Sequence, residues 1–260
     1  MANIEGVLEL RGLSFGYAER TVGRDANLRM TAGEIFCLLG PNGCGKTTLF
    51  KTMLGLLPPL GGDVLLDGED IRGLSRNSIA LRIAYVPQAQ VVPFAFTALE
   101  IVLMGRVAHR GAFSSPIQQD RAIAFAALDA LQIGALAHRD VTRLSGGQRQ
   151  LVLIARALAQ EAKLIVMDEP TASLDFGNQV RVMREIKRLA ARGVGVVLST
   201  HDPDHAFAAA GRVALMREGE IVALGTPEDV MTAERLEDVY ETPVSIERLS
   251  NGQLACAPRY

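Results

Sequence analysis

Gly40-Pro41-Asn42-Gly43-Cys44-Gly45-Lys46-Thr47-Thr48 is the stretch that decides the fold of this 260-residue chain. It matches the pattern G-x-x-x-x-G-K-[ST], in which glycines let backbone N–H groups curl around phosphate oxygens. Lys46 supplies a cation for the β- and γ-phosphates, and the Thr47 hydroxyl is placed to ligate Mg²⁺. We therefore expect this loop to bind a nucleoside triphosphate.

The residues on either side of the loop support this expectation. Glu34-Ile35-Phe36-Cys37-Leu38-Leu39 is an apolar run of strand length, and the stretch from Lys46 to Leu57 places apolar residues on one face of a predicted helix. A strand, a glycine loop and a helix in this order point the helix N-terminus at an anion. The pattern predicts an α/β fold.

Composition limits the classes of protein that the chain can belong to. Hydrophobic residues make up 48% of the chain, and the formal net charge of -2 gives no support for a nucleic-acid partner. Cys37, Cys44 and Cys256 have no metal-binding spacing, which suits a reducing compartment. We see neither a secretory signal nor a run of roughly 18 apolar residues. We expect a soluble chain that can still dock onto a membrane protein.

A second apolar strand ends in two acids. Lys163-Leu164-Ile165-Val166-Met167-Asp168-Glu169 lacks polar alternation, which is typical of a strand buried on both faces of a parallel sheet. Ligands bind at the carboxyl ends of such strands. Asp168 is placed to hold Mg²⁺ through water, and Glu169 to orient or deprotonate an attacking water. The alternative is an acid pair that stabilises a helix N-terminus.

Leu144-Ser145-Gly146-Gly147-Gln148 directly precedes a predicted helix from Arg149 to Ala159. Ser145 and Gln148 form a capping-box pair, so a well-capped helix start is the simplest interpretation. Two adjacent glycines also expose N–H groups to an anion, which capping alone does not require. A second phosphate site is the alternative interpretation.

From spacing alone, Tyr17 and His201 have two interpretations each and Gln88 has one. Tyr17 is an edge-strand aromatic or a stacking platform for adenine. Gln88 follows a short strand that Pro87 ends, where a lone glutamine is ordinary. His201 follows the buried strand Gly195 to Thr200, where it makes a structural contact or donates to a phosphate oxygen.

The chain between these motifs changes from strand to helix. From Thr97 to about Ala137 we predict helices, with starts at Thr97 and at Ser115, where Pro116 would occupy the first helical position. A hairpin is predicted around Glu218-Gly219 and a smaller one around Asn251-Gly252.

Together these stretches closely resemble the ATPase subunit of ATP-binding-cassette (ABC) transporters over nearly the whole chain. Leu144 to Gln148 is identical to the family signature. By resemblance, Tyr17 stacks on adenine, Gln88 senses Mg²⁺ and the attacking water, and Glu169 is the catalytic glutamate. His201 resembles the switch histidine, and Ser173-Leu174-Asp175 the loop that follows the acidic strand.

The resemblance implies an α/β fold with a P-loop core of ABC type, an N-terminal antiparallel β part and an inserted helical subdomain. We expect core at 1–90, helical subdomain at 91–143, core at 144–226 and a short extension at 227–260. Catalysis would use Glu169, His201, Gln88 and Lys46, and Mg²⁺ would be held by Thr47, Gln88 and Asp168. The ATP-binding residues would be Tyr17, Gly40, Pro41, Asn42, Gly43, Cys44, Gly45, Lys46, Thr47, Thr48, Gln88, Ser145, Gly146, Gly147, Gln148, Asp168 and Asp175.

The resemblance also implies partners. Two copies would pack head to tail across two ATP molecules, each signature closing on the other copy's phosphate loop. The stretches Val86 to Gln88, Val102 to Arg106 and Leu151 to Ala157 are similar to ATPases of importers for metal chelates (ferric siderophores, haem, cobalamin) and for molybdate or tungstate. Such a subunit works on the cytoplasmic face of the cell membrane with a permease and, indirectly, a substrate-binding protein.

Two alternatives stay open at this stage. One is the ATPase of an exporter or a lipoprotein-release system, and the other is a soluble ABC ATPase without a transport role. The apolar run Val91 to Phe96 favours a docking surface, although core packing explains it nearly as well.

Overall fold

The computed structural model describes residues 8–88, 95–110 and 114–259. The strands are β1 (Leu8–Tyr17), β2 (Arg20–Met30), β3 (Ile35–Leu39), β4 (Gly61–Leu66), β5 (Glu69–Asp70), β6 (Ile83–Val86), β7 (Leu164–Asp168), β8 (Gly195–Thr200), β9 (Arg212–Arg217), β10 (Glu220–Gly225), β11 (Val244–Arg248) and β12 (Leu254–Pro258). The helices are α1 (Lys46–Met53), α2 (Arg76–Arg82), α3 (Ala98–Leu103), α4 (Val107–Arg110), α5 (Gln118–Ala130), α6 (Gly146–Ala159), α7 (Phe176–Ala191), α8 (Pro203–Ala209), α9 (Pro227–Val230) and α10 (Ala233–Tyr240).

A six-stranded central sheet carries the site. Its order is β10-β9-β3-β8-β7-β6, and the pairs from β9 to β6 are all parallel. Successive residues alternate between two cores: Phe36 and Leu38 of β3 pack on one side, and Cys37 and Leu39 on the other. Burial on both faces explains why these strands have no polar alternation in the sequence.

The antiparallel sheet covers one face of the central sheet. Its order is β2-β1-β4-β5, and helix α1 shares its core through Leu49, Phe50 and Met53. The long strands β1 and β2 alternate buried and exposed residues over much of their length, as a sheet with one wet face requires. The predicted α/β fold with an N-terminal antiparallel part is confirmed.

Helices cover the other face of the central sheet. Helix α6 packs on both α3 and α5, and α7 and α8 pack directly on β3 and β8. The signature helix α6 thus contacts the helices of the predicted insertion, although it lies outside the predicted range 91–143. The predicted boundary at residue 90 lies outside the described residues, and so does most of the apolar run Val91 to Phe96, up to residue 94.

Helix α1 ends earlier than its apolar pattern predicts. The pattern extends to Leu57, but the helix ends at Met53 because Gly55 adopts a left-handed conformation (φ 63°). The Leu56 and Leu57 N–H groups both donate to the Lys51 carbonyl, which satisfies a helix-end acceptor. A glycine C-terminal stop therefore overrides the apolar periodicity.

The predicted helix start at Ser115 is wrong. Helix α5 begins at Gln118, because the Asp120 carboxylate accepts the Ile117 N–H (3.0 Å) and forms an ion pair with Arg106 (3.2 Å). The buried Arg106 thus fixes Asp120 and, with it, the first turn. The start at Thr97 is confirmed, because Thr97 and Glu100 form a complete capping box.

The end of the chain forms helices α9 and α10 and the hairpin β11–β12. Both predicted hairpins are confirmed, one between β9 and β10 and one between β11 and β12. Within the described ranges, none of the helices combines the length and the apolar character that crossing a bilayer requires.

Candidate nucleotide site

The phosphate loop connects β3 to α1 in a conformation that needs its glycines. Gly43 (φ 82°) and Gly45 (φ 108°) are left-handed, and a Cβ on Gly40 would lie 2.3 Å from the Met216 carbonyl oxygen. Gly45 is also the N-cap of α1, and no side chain caps this helix. The first N–H groups of α1 are therefore available to an anion at a helix N-terminus.

Lys46 lies over the loop that precedes it. Its Nζ donates to the carbonyl oxygens of Gly40 (2.7 Å) and Pro41 (3.0 Å) and lies 3.6 Å from Glu169 Oε1. The Lys46 and Glu169 side chains are buried. A buried ammonium group held this way places a positive charge beside the glycine loop.

Asp168 ends β7 fully buried between two hydroxyl groups. Thr47 Oγ1 donates to its Oδ2 at 2.6 Å, and Ser199 Oγ donates to its Oδ1 at 2.6 Å. These bonds engage both carboxylate oxygens, and among the described residues no cationic side chain forms an ion pair with Asp168. The Thr47 and Asp168 oxygens converge across 121 residues of sequence, because β3 and β7 both pair with β8 and end at the same edge of the sheet.

Glu169 follows at the point where the backbone leaves the sheet. Its φ of 46° is left-handed, which costs a non-glycine residue about 1–3 kcal/mol, and its N–H donates to Ser199 Oγ (3.0 Å). The carboxylate faces three donors: besides Lys46, Gln88 Nε2 lies 3.3 Å and His201 Nδ1 3.4 Å from Oε2. The structure therefore brings the other three predicted catalytic residues to the Glu169 carboxylate.

An open cavity of about 500 Å³ lies over the loop, within the size range of ligand pockets. Tyr17 is 48% exposed at its rim, next to the β1–β2 turn. Two wall residues, Arg20 and Val22, carry no sequence motif and were not predicted. The whole wall consists of Tyr17, Arg20, Val22, Asn42, Gly43, Gly45, Lys46, Thr47, Thr48, Gln88 and Glu169.

Cys44 differs from its neighbours in the loop. Its side chain is only 6% exposed, belongs to the core beneath the antiparallel sheet and is absent from the cavity wall. Burial raises the pKa of the Cys44 thiol, a shift that the nearby Lys46 partly opposes. Of Cys44, only the backbone is therefore in a position to contact a phosphate group.

The signature residues are not brought to this cavity. Ser145 caps α6: its Oγ accepts the Gln148 N–H (3.2 Å), and Gln148 Oε1 accepts the Ser145 N–H (3.0 Å). Behind them, a Cβ on Gly147 would lie 3.2 Å from the Ser173 carbonyl oxygen. No signature residue lines the cavity described above. The capping box is confirmed, and a second phosphate site would have to be completed from elsewhere.

Asp175 caps the next helix. Its two carboxylate oxygens accept the backbone N–H (2.8 Å) and the side-chain amide (3.0 Å) of Asn178 at the start of α7. Ser199, which bonds both Asp168 and Glu169, was missed from the sequence. Its only signal in the sequence is that it precedes Thr200 as one of two polar residues at the end of an otherwise apolar strand.

Comparison with known proteins decides the family. Residues 24–172 match the family model for the ABC transporter. The chain belongs to the ABC transporter family. This ABC ATPase binds ATP, and relatives are named as ATP-binding import proteins.

Three relatives illustrate the range of proteins to which this chain is similar. An uncharacterized ABC transporter ATP-binding protein of Haemophilus influenzae is 42% identical over 91% of this chain and 90% of its own. The hemin import ATP-binding protein HmuV of Thermobifida fusca is 40% identical (92% and 84% covered). The molybdate import ATP-binding protein MolC of Haemophilus influenzae is 38% identical (91% and 89% covered).

Solved structures agree with the fold of this ABC ATPase. A metal-chelate type ABC transporter in an inward-facing conformation matches with a TM-score of 0.85 and 35% identity over 98% of both chains. A dimeric structure of a bacterial ABC transporter cassette matches with a TM-score of 0.75 and 29% identity, over 85% of this chain and 98% of that one.

Proposed function

We propose that this ABC ATPase powers the import of a metal chelate (a ferric siderophore, haem or cobalamin) or of molybdate or tungstate. Two copies would act with a separate permease dimer on the cytoplasmic face of the cell membrane, and indirectly with a substrate-binding protein. The observation that carries the catalytic part is the convergence of Lys46, Gln88 and His201 on Glu169.

The roles of the four residues follow from their chemistry. Lys46 would bind the β- and γ-phosphates, because its buried ammonium group lies beside the loop. Glu169 would orient and deprotonate the attacking water, and Gln88 would hold that water in line. His201, with its side chain 48% exposed, would donate to the γ-phosphate and report its presence.

The donor atoms at the end of β7 suit Mg²⁺. Thr47 and Asp168 offer a hydroxyl and a carboxylate oxygen, and Gln88 carries an amide oxygen besides the Nε2 that donates to Glu169; a hard cation prefers oxygen ligands. We propose that Thr47 and Gln88 ligate the ion and that Asp168 holds it through water. When bound, Mg²⁺ would neutralise charge on the β- and γ-phosphates.

The remaining nucleotide contacts would come from both copies. Tyr17 would stack on adenine, and the loop Gly40 to Thr48 would hold the phosphates. Ser145 to Gln148 of the second copy would close over the γ-phosphate, which explains why these residues line no nucleotide cavity in their own chain. Asp175 would lie at the same interface.

We also propose a division of the chain into units. Core would occupy 1–90 and 144–226, helices 91–143, and a short extension 227–260. The packing of α6 on α3 and α5 suggests that the helical unit moves together with the signature helix. A movement of this unit would shift the signature relative to the phosphate loop.

The test of the catalytic proposal is Glu169→Gln. The variant should hydrolyse ATP at least about 100-fold more slowly while it still binds ATP. Because ATP then persists, gel filtration at saturating ATP should show a dimer. Glu247→Gln, an exposed residue of β11, is the matched control. A monomeric Glu169→Gln chain at saturating ATP, or undiminished hydrolysis, would contradict the proposal.

The transport part needs a separate experiment. The tagged chain, purified from its native membranes in mild detergent, should bring down a polytopic permease. The permease's binding protein should then bind a ferric chelate, haem, cobalamin or molybdate. Recovery of an exporter-type membrane subunit, or of soluble partners alone, would favour one of the two alternative functions.

A further inference from the structure

His205 links the two segments that carry Glu169 and His201. It lies on α8, and its Nδ1 is 3.3 Å from Thr171 Oγ1 and 3.4 Å from Thr200 Oγ1. Thr171 follows Glu169 by two residues, and Thr200 directly precedes His201. One ring nitrogen therefore contacts both segments just beyond the site.

The sheet does not hold these segments together at this point. The last paired residues of β7 and β8 are Asp168 and Ser199. Glu169 then turns into a left-handed conformation, and Pro170 has no N–H to donate. Beyond Asp168, side chains connect the two segments: Ser199 Oγ accepts the Glu169 N–H (3.0 Å), and His205 lies further out along the chain from Glu169.

Both hydroxyl groups are buried, so their hydrogen bonds matter. Thr171 is 4% and Thr200 3% exposed. Among the described residues, His205 is the only partner of the Thr171 hydroxyl, whereas Thr200 Oγ1 also accepts the Asp202 N–H (3.0 Å). A buried hydroxyl that loses its partner is costly, which favours the observed spacing of the segments.

Asp202 favours the imidazole tautomer of His205 in which Nδ1 can accept a hydrogen bond. Its Oδ2 lies 3.7 Å from His205 Nε2. A carboxylate on that side favours the tautomer with its proton on Nε2, so we assign Nδ1 as the acceptor for the threonine hydroxyls.

We propose that His205 is a positioning residue for ATP hydrolysis. By sharing its one lone pair between the Thr171 and Thr200 hydroxyls, Nδ1 holds the segment after β7 against the end of β8, and so keeps Glu169 and His201 at hydrogen-bonding distance (3.4 Å). The inference rests on the roles proposed above for Glu169 and His201, and it adds a residue that lines no part of the nucleotide cavity.

The surroundings of His205 allow the role of Nδ1 to be tested separately from the volume of the imidazole ring. The ring also borders a second cavity of about 630 Å³, between α7, α8 and the C-terminal hairpin, whose wall includes Met183, Ala208 and Gln253. Replacing the ring therefore enlarges an existing space instead of opening a closed core.

Two substitutions with amide side chains of different length distinguish the roles of the two ring nitrogens. Asparagine places a polar atom near the Nδ1 position, and glutamine places one near the Nε2 position. His205→Asn should keep kcat within about threefold of the wild type, whereas His205→Gln and His205→Ala should lower kcat about tenfold. KM for ATP should stay unchanged in all three, because the cavity wall is intact. Steady-state ATPase assays with a thermal melt of each variant measure both.

Thr171 offers a second test with a smaller change. Thr171→Val removes the hydroxyl group and keeps the shape, while Thr171→Ser keeps the hydroxyl group. Thr171→Val should lower kcat as much as His205→Ala does, Thr171→Ser should not, and the double variant should lose no more than either single variant.

The outcomes separate this inference from the proposed function. Equal losses in His205→Asn and His205→Gln, or a change in KM alone, would show a packing role and overturn it. Wild-type kcat in His205→Ala and Thr171→Val together with an inactive Glu169→Gln would overturn it and leave the proposed function intact. Undiminished hydrolysis by Glu169→Gln would instead remove the proposed function.

Discussion

Helices α1 and α6 both begin at glycine-rich stretches, but they differ in whether a side chain caps their first N–H groups. Helix α1 begins at the left-handed Gly45 with no side-chain cap, so its first N–H groups are open to a ligand. Helix α6 begins at Ser145 with a full capping box, so one of its N–H groups already has a partner.

The surroundings of the two starts differ as well. Lys46 and Thr47 of α1 reach Glu169 and Asp168 on β7 and beyond, so this half of the site is assembled within one chain. Within the described ranges, Ser145 bonds only to its own helix, and it is exposed. One start faces the nucleotide cavity and the other faces solvent. This difference is what the proposed head-to-tail pair of copies would require.

The largest expected effect comes from breaking each start in a different copy. Lys46→Ala removes the loop cation, and Gly146→Asp puts a carboxylate at the signature, where it repels phosphate. Each variant alone should lose at least about 99% of its hydrolysis. Mixed in equal amounts, they should regain about a quarter of wild-type activity, because half of the dimers would have one intact site.

The geometry favours Gly146 over Gly147 for this test. A Cβ on Gly146 comes no closer than 4.0 Å to Arg149, and an acid at this position stabilises a helix N-terminus. Gly146→Ala is the neutral control and should remain active. No recovery on mixing two folded variants would show that each chain completes its own site.

A smaller loss should follow from removing the hydroxyl group behind the acidic strand. Ser199→Ala leaves Asp168 Oδ1 and the Glu169 N–H without their partner in a fully buried position. We expect about tenfold slower hydrolysis and a free energy of unfolding lower by about 1–3 kcal/mol. ATPase assays and urea denaturation measure the two effects.

Ser245→Ala, on the C-terminal hairpin, is the control for this loss of a serine hydroxyl. In the part of the chain that the structure describes, its Oγ makes only long contacts, to Glu247 (3.4 Å) and to Ala257 (3.5 Å). It should change neither activity nor stability. A Ser199→Ala enzyme with full activity would show that Asp168 and Glu169 keep their positions without Ser199.

The sequence predicted the parts of the site that local chemistry encodes. The glycine loop needs residues without a Cβ, and the strand β7 needs a continuous apolar run, so both leave a pattern. Ser199 leaves only a polar residue near the end of an apolar strand, and His205 leaves no pattern, because their roles depend on which strands are neighbours and where a ladder ends. The start of α5 was missed for the same reason: a distant Arg106 holds the capping Asp120.

Cys44 tests a finer difference within the phosphate loop itself. Burial raises the pKa of its thiol, so little thiolate exists at neutral pH and alkylation should be slow. The rate of modification by iodoacetamide should rise steadily as the pH is raised toward 9 and above. Modification should abolish hydrolysis, because a group added to the buried thiol would displace the loop, and ATP should protect, because bound phosphates would hold the loop in place.

Cys44→Ser controls for modification of the other two thiols and should make hydrolysis resistant to the reagent. Fast alkylation at pH 7 would show that the thiol is accessible in the folded loop. Full activity after complete modification would show that the phosphate loop can bind ATP with an alkylated Cys44 side chain.

The smallest effect is expected one turn into the signature helix. Gln150 is 1% exposed, and neither its Nε2 nor its Oε1 has a hydrogen-bond partner in the described part of the chain. An unpaired buried amide destabilises a fold, so Gln150→Leu should raise the free energy of unfolding by about 1 kcal/mol, seen in urea denaturation as a higher midpoint at an unchanged m-value.

Gln150→Glu should do the opposite, because it buries a charge at the same place. If Gln150→Leu is instead less stable than the wild type, the amide has a partner in the folded monomer. If it is more stable but slower in hydrolysis, the amide is used only in the ATP-bound pair. The stability lost by keeping Gln150 would then have the same cause as the difference between the two helix starts: the site at α1 is assembled within one chain, whereas α6 needs the second copy.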